Sequence, residues 1–343
     1  MSEPFLFTLS STDQDDLFEA AATRTGLPAY VIEKDYYVTL VLKLLFEKLK
    51  PLHTQHTPTP FMFKGGTTLS KVFGCINRMS EDIDLSLDMN FLGHPEPSGK
   101  ESNSAIKRRV DDLEQATIRT VSTVMVPFLQ SELQKLNDGF TINTTGNGMD
   151  IEVFYPSRYR GGGYVTQRVL IECGGKAGLE PSDSHTVCPI ALEEIDPHLD
   201  ACSVDVLGAD RTFFEKITAL HEINHRGPTK LGDRQARHIY DVVAIHQKFP
   251  DFVNKIDLLR KVVEHKAKYF RRSASKWEEA RPGSLFIMPS AGENGVRELL
   301  AKDWEKMHDM FPSGLPMTFE AMLAQLAAID RIINHEATDK NQR

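Results

Sequence analysis

Phe61-Met62-Phe63-Lys64-Gly65-Gly66-Thr67-Thr68-Leu69-Ser70, followed by Ser80-Glu81-Asp82-Ile83-Asp84-Leu85-Ser86-Leu87-Asp88, decides how this chain reads. The apolar start suits a short strand, and Thr67 to Ile76 suits a helix. Two glycines between them let backbone N–H groups approach an anion closely, and a helix start adds oriented donors. The hydroxyls of Thr67, Thr68 and Ser70 either meet a phosphate or cap the helix. Residues 82–88 alternate polar and apolar, the period of a half-buried strand, so Asp82 and Asp84 project from one face. Paired hard carboxylates are what Mg²⁺ needs when it must also hold nucleotide phosphates. A lone Asp-x-Asp is usually a solvated strand edge, and a lone Gly-Gly says less. The combination is what would set a phosphate cradle beside metal ligands.

Outward from this stretch, helical patterns run from about Asp13 to Thr25 and from Tyr30 to Lys48, with a His/Thr/Pro-rich loop at 51–60. A Pro/Gly/Ser loop follows at 93–100, then a long helical pattern from Ser104 to Leu136. Asp150 to Tyr155 and Val165 to Glu172 read as strands flanking Gly161-Gly162-Gly163, a hairpin. Beyond Asp205 the strand-like runs cease. Phe213–His225, Asp233–Lys248, Ile256–Phe270, Gly295–Met307 and Phe319–His335 all read as helices. The expected organisation is an α/β domain over residues 1–204 and an all-helical domain over residues 205–343 that closes an active-site cleft.

Composition narrows the class. The chain has 343 residues, 41% hydrophobic and 26% charged, as ordinary globular proteins do. No apolar run approaches the roughly 18 residues of a membrane span, and the N-terminus lacks the order of a secretion signal. Cys75, Cys173, Cys188 and Cys202 are widely spaced, which fits reduced thiols and a cytoplasmic protein. A net charge of −8 argues against whole-chain attraction to nucleic acid, though not against a local basic groove.

The turn and the Asp-x-Asp strand resemble the nucleotidyltransferase superfamily. More narrowly, FKGGTTLSKVFGCINRMSEDIDLSL is similar to the AbiEii-type nucleotidyltransferase toxins of bacterial toxin–antitoxin and abortive-infection systems. Glu33-Lys34-Asp35-Tyr36, Phe214-Glu215-Lys216-Ile217 and Arg237-His238-Ile239-Tyr240-Asp241 extend the resemblance over about residues 30–250. It implies a nucleotidyltransferase-like mixed sheet flanked by helices, and transfer of a nucleotide from an NTP to an acceptor hydroxyl with release of pyrophosphate. The phosphates would lie on Lys64, Gly65, Gly66, Thr67 and Ser70, with Mg²⁺ or Mn²⁺ on Asp82 and Asp84. Lys216 would place a point charge on the triphosphate, Arg237 would clamp phosphate, and Asp241 would serve as a base or metal contact. By the same analogy the acceptor is the 3′ end of tRNA and a separate antitoxin protein is a partner; a protein or small-molecule acceptor is the alternative.

Other residues have competing readings. Glu172 is the expected third carboxylate, because a buried strand glutamate needs a partner and a metal is one, and Glu152 is its rival. Glu33 and Asp35 read as structural. His221-Glu222-Ile223-Asn224-His225 matches HExxH, which on a helix offers two histidines to zinc and a glutamate as base, the mark of a zinc peptidase. Gly227-Pro228 ends that helix at once, and no third ligand is evident downstream. Lys107-Arg108-Arg109, Arg158-Tyr159-Arg160 and the cations around Tyr269-Phe270 are candidate phosphate-backbone contacts, although a solvated helix face is the commoner explanation for each.

Overall fold

A computed structural model describes residues 3–55, 57–80, 82–159 and 166–336. The chain forms two compact units, one of Met1–Val72 and Ser80–Leu207, the other of Phe73–Met79 and Gly208–Arg343.

The first unit is built on a mixed sheet of seven strands among the described residues. In chain order these are β1 (Phe61–Lys64), β2 (Ile83–Leu87), β3 (Thr141–Thr144), β4 (Asp150–Phe154), β5 (Arg168–Gly174), β6 (Ser182–Val187) and β7 (Cys202–Leu207). Their order across the sheet is β3-β4-β5-β2-β1-β7-β6. Strands β2 and β5 run parallel, as do β1 and β7, and the remaining neighbours are antiparallel. Phe61, Met62 and Phe63 are all buried, as expected of a central strand covered on both faces. Antiparallel β4 and β5 flank the glycine run, in line with the expected hairpin; its tip, including Arg160, lies outside the described residues.

Helices α1 (Phe5–Thr8), α2 (Ser11–Thr25), α3 (Ala29–Lys43), α4 (Gly66–Lys71), α5 (Asn103–Thr120) and α6 (Val126–Gln134) complete this unit. Helix α3 is buried nearly all round and packs on β5 and β7. A π-helical turn at Val121–Met125 splits the predicted 104–136 helix just before Pro127, whose missing N–H breaks the regular ladder. Helix α4 ends at Lys71 rather than Ile76, because residues 73–79 pass into the second unit.

The second unit is helical: α7 (Ala209–Arg226), α8 (Arg237–Lys248), α9 (Ile256–Tyr269), α10 (Arg297–Lys306) and α11 (Phe319–Arg331). Apolar faces of α7, α8, α9 and α11 form its core, with Phe213, Phe214, Ile239, Val262 and Leu326 buried. Among the described residues no helix is long and apolar enough to cross a membrane, and the four cysteines are free thiols.

Candidate functional site

The glycine turn in the first unit is shaped by what stands opposite it. Gly65 has φ +85 and ψ −158, a conformation closed to residues with a side chain. A Cβ there would lie 2.6 Å from Cγ of Asp84 and overlap its carboxylate. The turn and the second aspartate of the Asp-x-Asp strand are thus in contact, and only glycine permits it.

Helix α4 starts at Gly66, and no side chain caps it. The hydroxyls proposed from sequence as phosphate donors are already engaged. Thr67 donates to the Asp82 carbonyl at 2.6 Å, Thr68 to the Gly65 carbonyl at 2.8 Å, and Ser70 to the Thr67 carbonyl at 3.2 Å. Thr67 and Ser70 therefore brace the turn, Thr67 by tying the helix to the Asp-x-Asp strand. The backbone N–H groups at the start of α4 are what the turn offers to an anion.

Ile83, Leu85 and Leu87 point into the core, which leaves Asp82 and Asp84 on the other face of β2. Cross-strand register then builds a row. Lys64 on β1 stands opposite Asp84, Asp84 opposite Glu172 on β5, and Glu172 opposite Asp150 on β4. Glu172 keeps solvent access, contrary to the expectation that it is buried. The protein packed around the rest of it pushes its carboxyl up to about 7, with further pushes from Asp84, Asp82 and Asp150. Partial desolvation and crowding among carboxylates together make its charge costly. Glu152, the rival, is taken by Arg168 at 2.9 Å. Asp150 escaped notice in the sequence; its only signal was its two-residue spacing from Glu152 on an alternating strand.

Asp82, Asp84 and Glu172 carry only oxygen donors, a chemistry compatible with Mg²⁺ or Mn²⁺. Among the described residues no three acidic, His or Cys side chains form a ready cation cage.

Lys216 and Asp241 meet in the second unit. Asp241 has no exposed surface and pairs with Lys216 Nζ at 2.9 Å. Arg78, from the 73–79 segment, grips both its oxygens, Nε to Oδ1 at 2.8 Å and Nη2 to Oδ2 at 2.9 Å. Burial opposes the charge on Asp241, but the two cations hold its carboxyl far below the usual range. Enclosed and paired with both cations, Asp241 is the shared counter-ion of Lys216 and Arg78 within the second unit. Lys216 is pushed down by burial and supported by Asp241. Arg237 lies on the first turn of α8, its Nε buried without a partner, and His238 Nδ1 is likewise buried and unpartnered. Burial and the nearby cations Lys216 and Arg237 keep His238 neutral. Sequence reasoning missed Arg78, whose only signal was a charge among Ile76, Met79 and their neighbours.

The HExxH segment is structural. His221 is fully buried; its Nδ1 accepts the Phe286 N–H at 3.0 Å and its Nε2 donates to the Lys276 carbonyl at 3.1 Å. No ring lone pair remains for zinc. Glu222 accepts from Ser275 Oγ at 3.0 Å and lies 3.4 Å from Arg272. The zinc-peptidase alternative falls with these contacts.

Glu33-Lys34-Asp35-Tyr36 is an anchor in the first unit, as the structural reading of Glu33 and Asp35 expected. Glu33 accepts from Ser157 Oγ at 2.6 Å and Arg158 N–H at 2.7 Å, while Lys34 donates to the Thr166 carbonyl at 2.9 Å. Asp35 pairs with Lys71 at 2.6 Å, fixing the end of α4, and Tyr36 donates to Asp200 at 2.6 Å. Several candidate basic contacts are likewise spoken for. Arg158 pairs with Asp15, Arg109 with Glu101, and Lys266 sits over the Trp277 ring.

No curated protein sequence matches the chain. A similar solved structure is MenT4, a nucleotidyltransferase toxin from Mycobacterium tuberculosis H37Rv, at 16% identity, covering 93% of this chain and 99% of that one with a TM-score of 0.42. Residues 50–325 match the family described as nucleotidyl transferase AbiEii toxin of type IV toxin–antitoxin systems. That span takes in the glycine turn, the Asp-x-Asp strand, Lys216 and Asp241, and the chain belongs to the AbiEii nucleotidyltransferase toxin family.

Proposed function

We propose that this toxin transfers a nucleotide from an NTP to the 3′ end of tRNA in a Mg²⁺-dependent reaction that arrests growth in the cytoplasm, and that a separately encoded antitoxin restrains it. The observation that carries this is the contact of Gly65 with Asp84, beside Asp82 and Glu172. Backbone N–H groups at Gly66 and Thr67 receive phosphate oxygens, and Lys64, in register with Asp84, adds a positive charge at the end of the row. Asp82, Asp84 and Glu172 would hold the divalent cation, which supplies charge neutralisation for the α-phosphate and the leaving pyrophosphate. Lys216 and Arg237 are the cations assigned to the triphosphate. Nucleotidyl transfer needs positioning and charge compensation more than covalent help from the protein, and these residues offer both.

The test is incubation with each of the four α-labelled NTPs, Mg²⁺ and total tRNA, alongside Asp84→Ala and Lys216→Ala. Label in tRNA that both substitutions abolish is the expected result. Label in protein moves the acceptor to the alternative class, and no label with any NTP or with Mn²⁺ overturns the proposal. Growth arrest on expression, relieved by the same substitutions, ties the chemistry to toxicity.

A further inference from the structure

A lysine that is to meet a triphosphate should not spend its charge on a neighbour, yet Lys216 lies 2.9 Å from the carboxylate of Asp241. Left alone, such a buried pair is closed: each charge neutralises the other. Arg78 alters the balance. Its planar fork takes both Asp241 oxygens, at 2.8 and 2.9 Å, while Lys216 reaches Oδ2 alone. The Arg78 side chain is 3% exposed and Asp241 is fully enclosed, whereas Lys216 keeps 14% of its side chain open. One carboxylate therefore faces two cations, and the bidentate partner is the one sealed from solvent.

We propose that Arg78 is a positioning residue for Lys216: by occupying Asp241 through a two-pronged ion pair, it leaves the Lys216 ammonium anchored but not neutralised, available to the anionic end of the NTP. This rests on the assignment of Lys216 to the triphosphate. Arg78 is itself held firmly within the helical unit. The Asn77 N–H donates to Tyr240 Oη at 3.0 Å, the Met79 N–H to the Met310 carbonyl at 2.7 Å, and Arg78 Nη1 to the Met79 carbonyl at 3.2 Å. The charged and titratable groups around Lys216 are Asp241, Arg237 and His238 of α8 and Arg78 of the 73–79 segment. Burial, Arg78 and Arg237 push the ammonium towards losing its proton, and Asp241 resists. Loss of Arg78 and loss of the Asp241 charge therefore move Lys216 in opposite directions.

The test measures binding of inorganic triphosphate with Mg²⁺ by calorimetry, across pH 6 to about 10, on the full chain and its Lys216→Ala, Arg78→Gln, Arg78→Lys and Asp241→Asn variants. Lys216→Ala and Arg78→Gln should each weaken binding at neutral pH about tenfold or more, the worth of one charge-assisted contact. Arg78→Lys should restore most of that loss. The alkaline fall-off in affinity should move up in pH for Arg78→Gln and down for Asp241→Asn. If either single variant fails to fold, the double variant Arg78→Gln with Asp241→Asn removes both partners, and it should bind more tightly than Lys216→Ala. Wild-type affinity in Lys216→Ala, or no binding by the native chain, overturns the assignment of Lys216 and this inference with it. A weakened Lys216→Ala beside an unchanged Arg78→Gln, or shifts in the same direction for Arg78→Gln and Asp241→Asn, overturns the inference alone. So does a double variant no better than Lys216→Ala.

Discussion

Gly65 and Asp84 occupy space that a single methyl group would fill. The turn needs a positive φ, and the carboxylate opposite needs the missing side chain, so two independent constraints fall on one residue. Gly65→Ala should cost about 1–2 kcal/mol of backbone strain and also displace the Asp84 carboxylate. Nucleotide transfer should fall at least about 100-fold, the scale of a misplaced reacting group, while circular dichroism stays native. Retained activity would separate the turn from the chemistry.

Glu172 tests the carboxylate row. Its carboxyl is raised to about 7 by the protein packed around part of it and then by Asp84, so ionising it beside that neighbour is unfavourable. Glu172→Gln should leave the metal-free protein as stable as wild type or up to about 1 kcal/mol more stable at neutral pH, because the repulsion is relieved. Transfer should drop, and the rise in melting temperature that Mg²⁺ gives the wild type should shrink. Thermal melts with and without Mg²⁺ read both effects.

Shielded, neutral histidines should shape the response of the helical unit to acid. Burial holds the pKa of His221, His238 and His246 below the ordinary 6.5. Each is neutral in the fold and binds a proton more readily when unfolded, so its contribution is intact above pH 6.5 and is lost as pH falls towards the folded value. Melting temperature should therefore decline between pH 7.5 and about 5.5. His221→Gln, which lacks the titrating ring, should flatten that slope even if its melting temperature is lower throughout.

Glu33 secures a segment. It accepts from both Ser157 and the Arg158 N–H, and Glu33→Ala strands those donors at a cost of about 1–3 kcal/mol. Limited trypsin digestion should cut after Arg158 faster in the variant than in wild type. Equal digestion rates would show that Lys34 and the Arg158–Asp15 pair hold the segment without it.

Much of this site was legible in sequence because its signals are local. A glycine pair between strand and helix, and two aspartates one residue apart on an alternating strand, carry their geometry within a few residues of chain. The five helices after residue 208 were equally plain from periodicity. Strands β3 (Thr-Ile-Asn-Thr), β6 (Ser-Asp-Ser-His-Thr-Val) and β7 (Cys-Ser-Val-Asp-Val-Leu) were missed; β3 and β6 lie at the two edges of the sheet, largely exposed and without apolar alternation, whereas β7 does alternate and fell at the expected domain boundary. The HExxH spacing was real, but periodicity says nothing about which backbone groups will reach a histidine ring. The ion pairing of Asp241 was hidden from the sequence for a similar reason. Its guanidinium partner lies 163 residues away in the chain, beyond any window of sequence.

The 73–79 segment carries a consequence for biosynthesis. It leaves the ribosome early, between the glycine turn and the aspartate strand, yet its fixed contacts are to Tyr240, Asp241, Lys248 and Met310. Until those residues emerge, the link between the glycine turn and the aspartate strand lacks the partners that hold it in the folded chain.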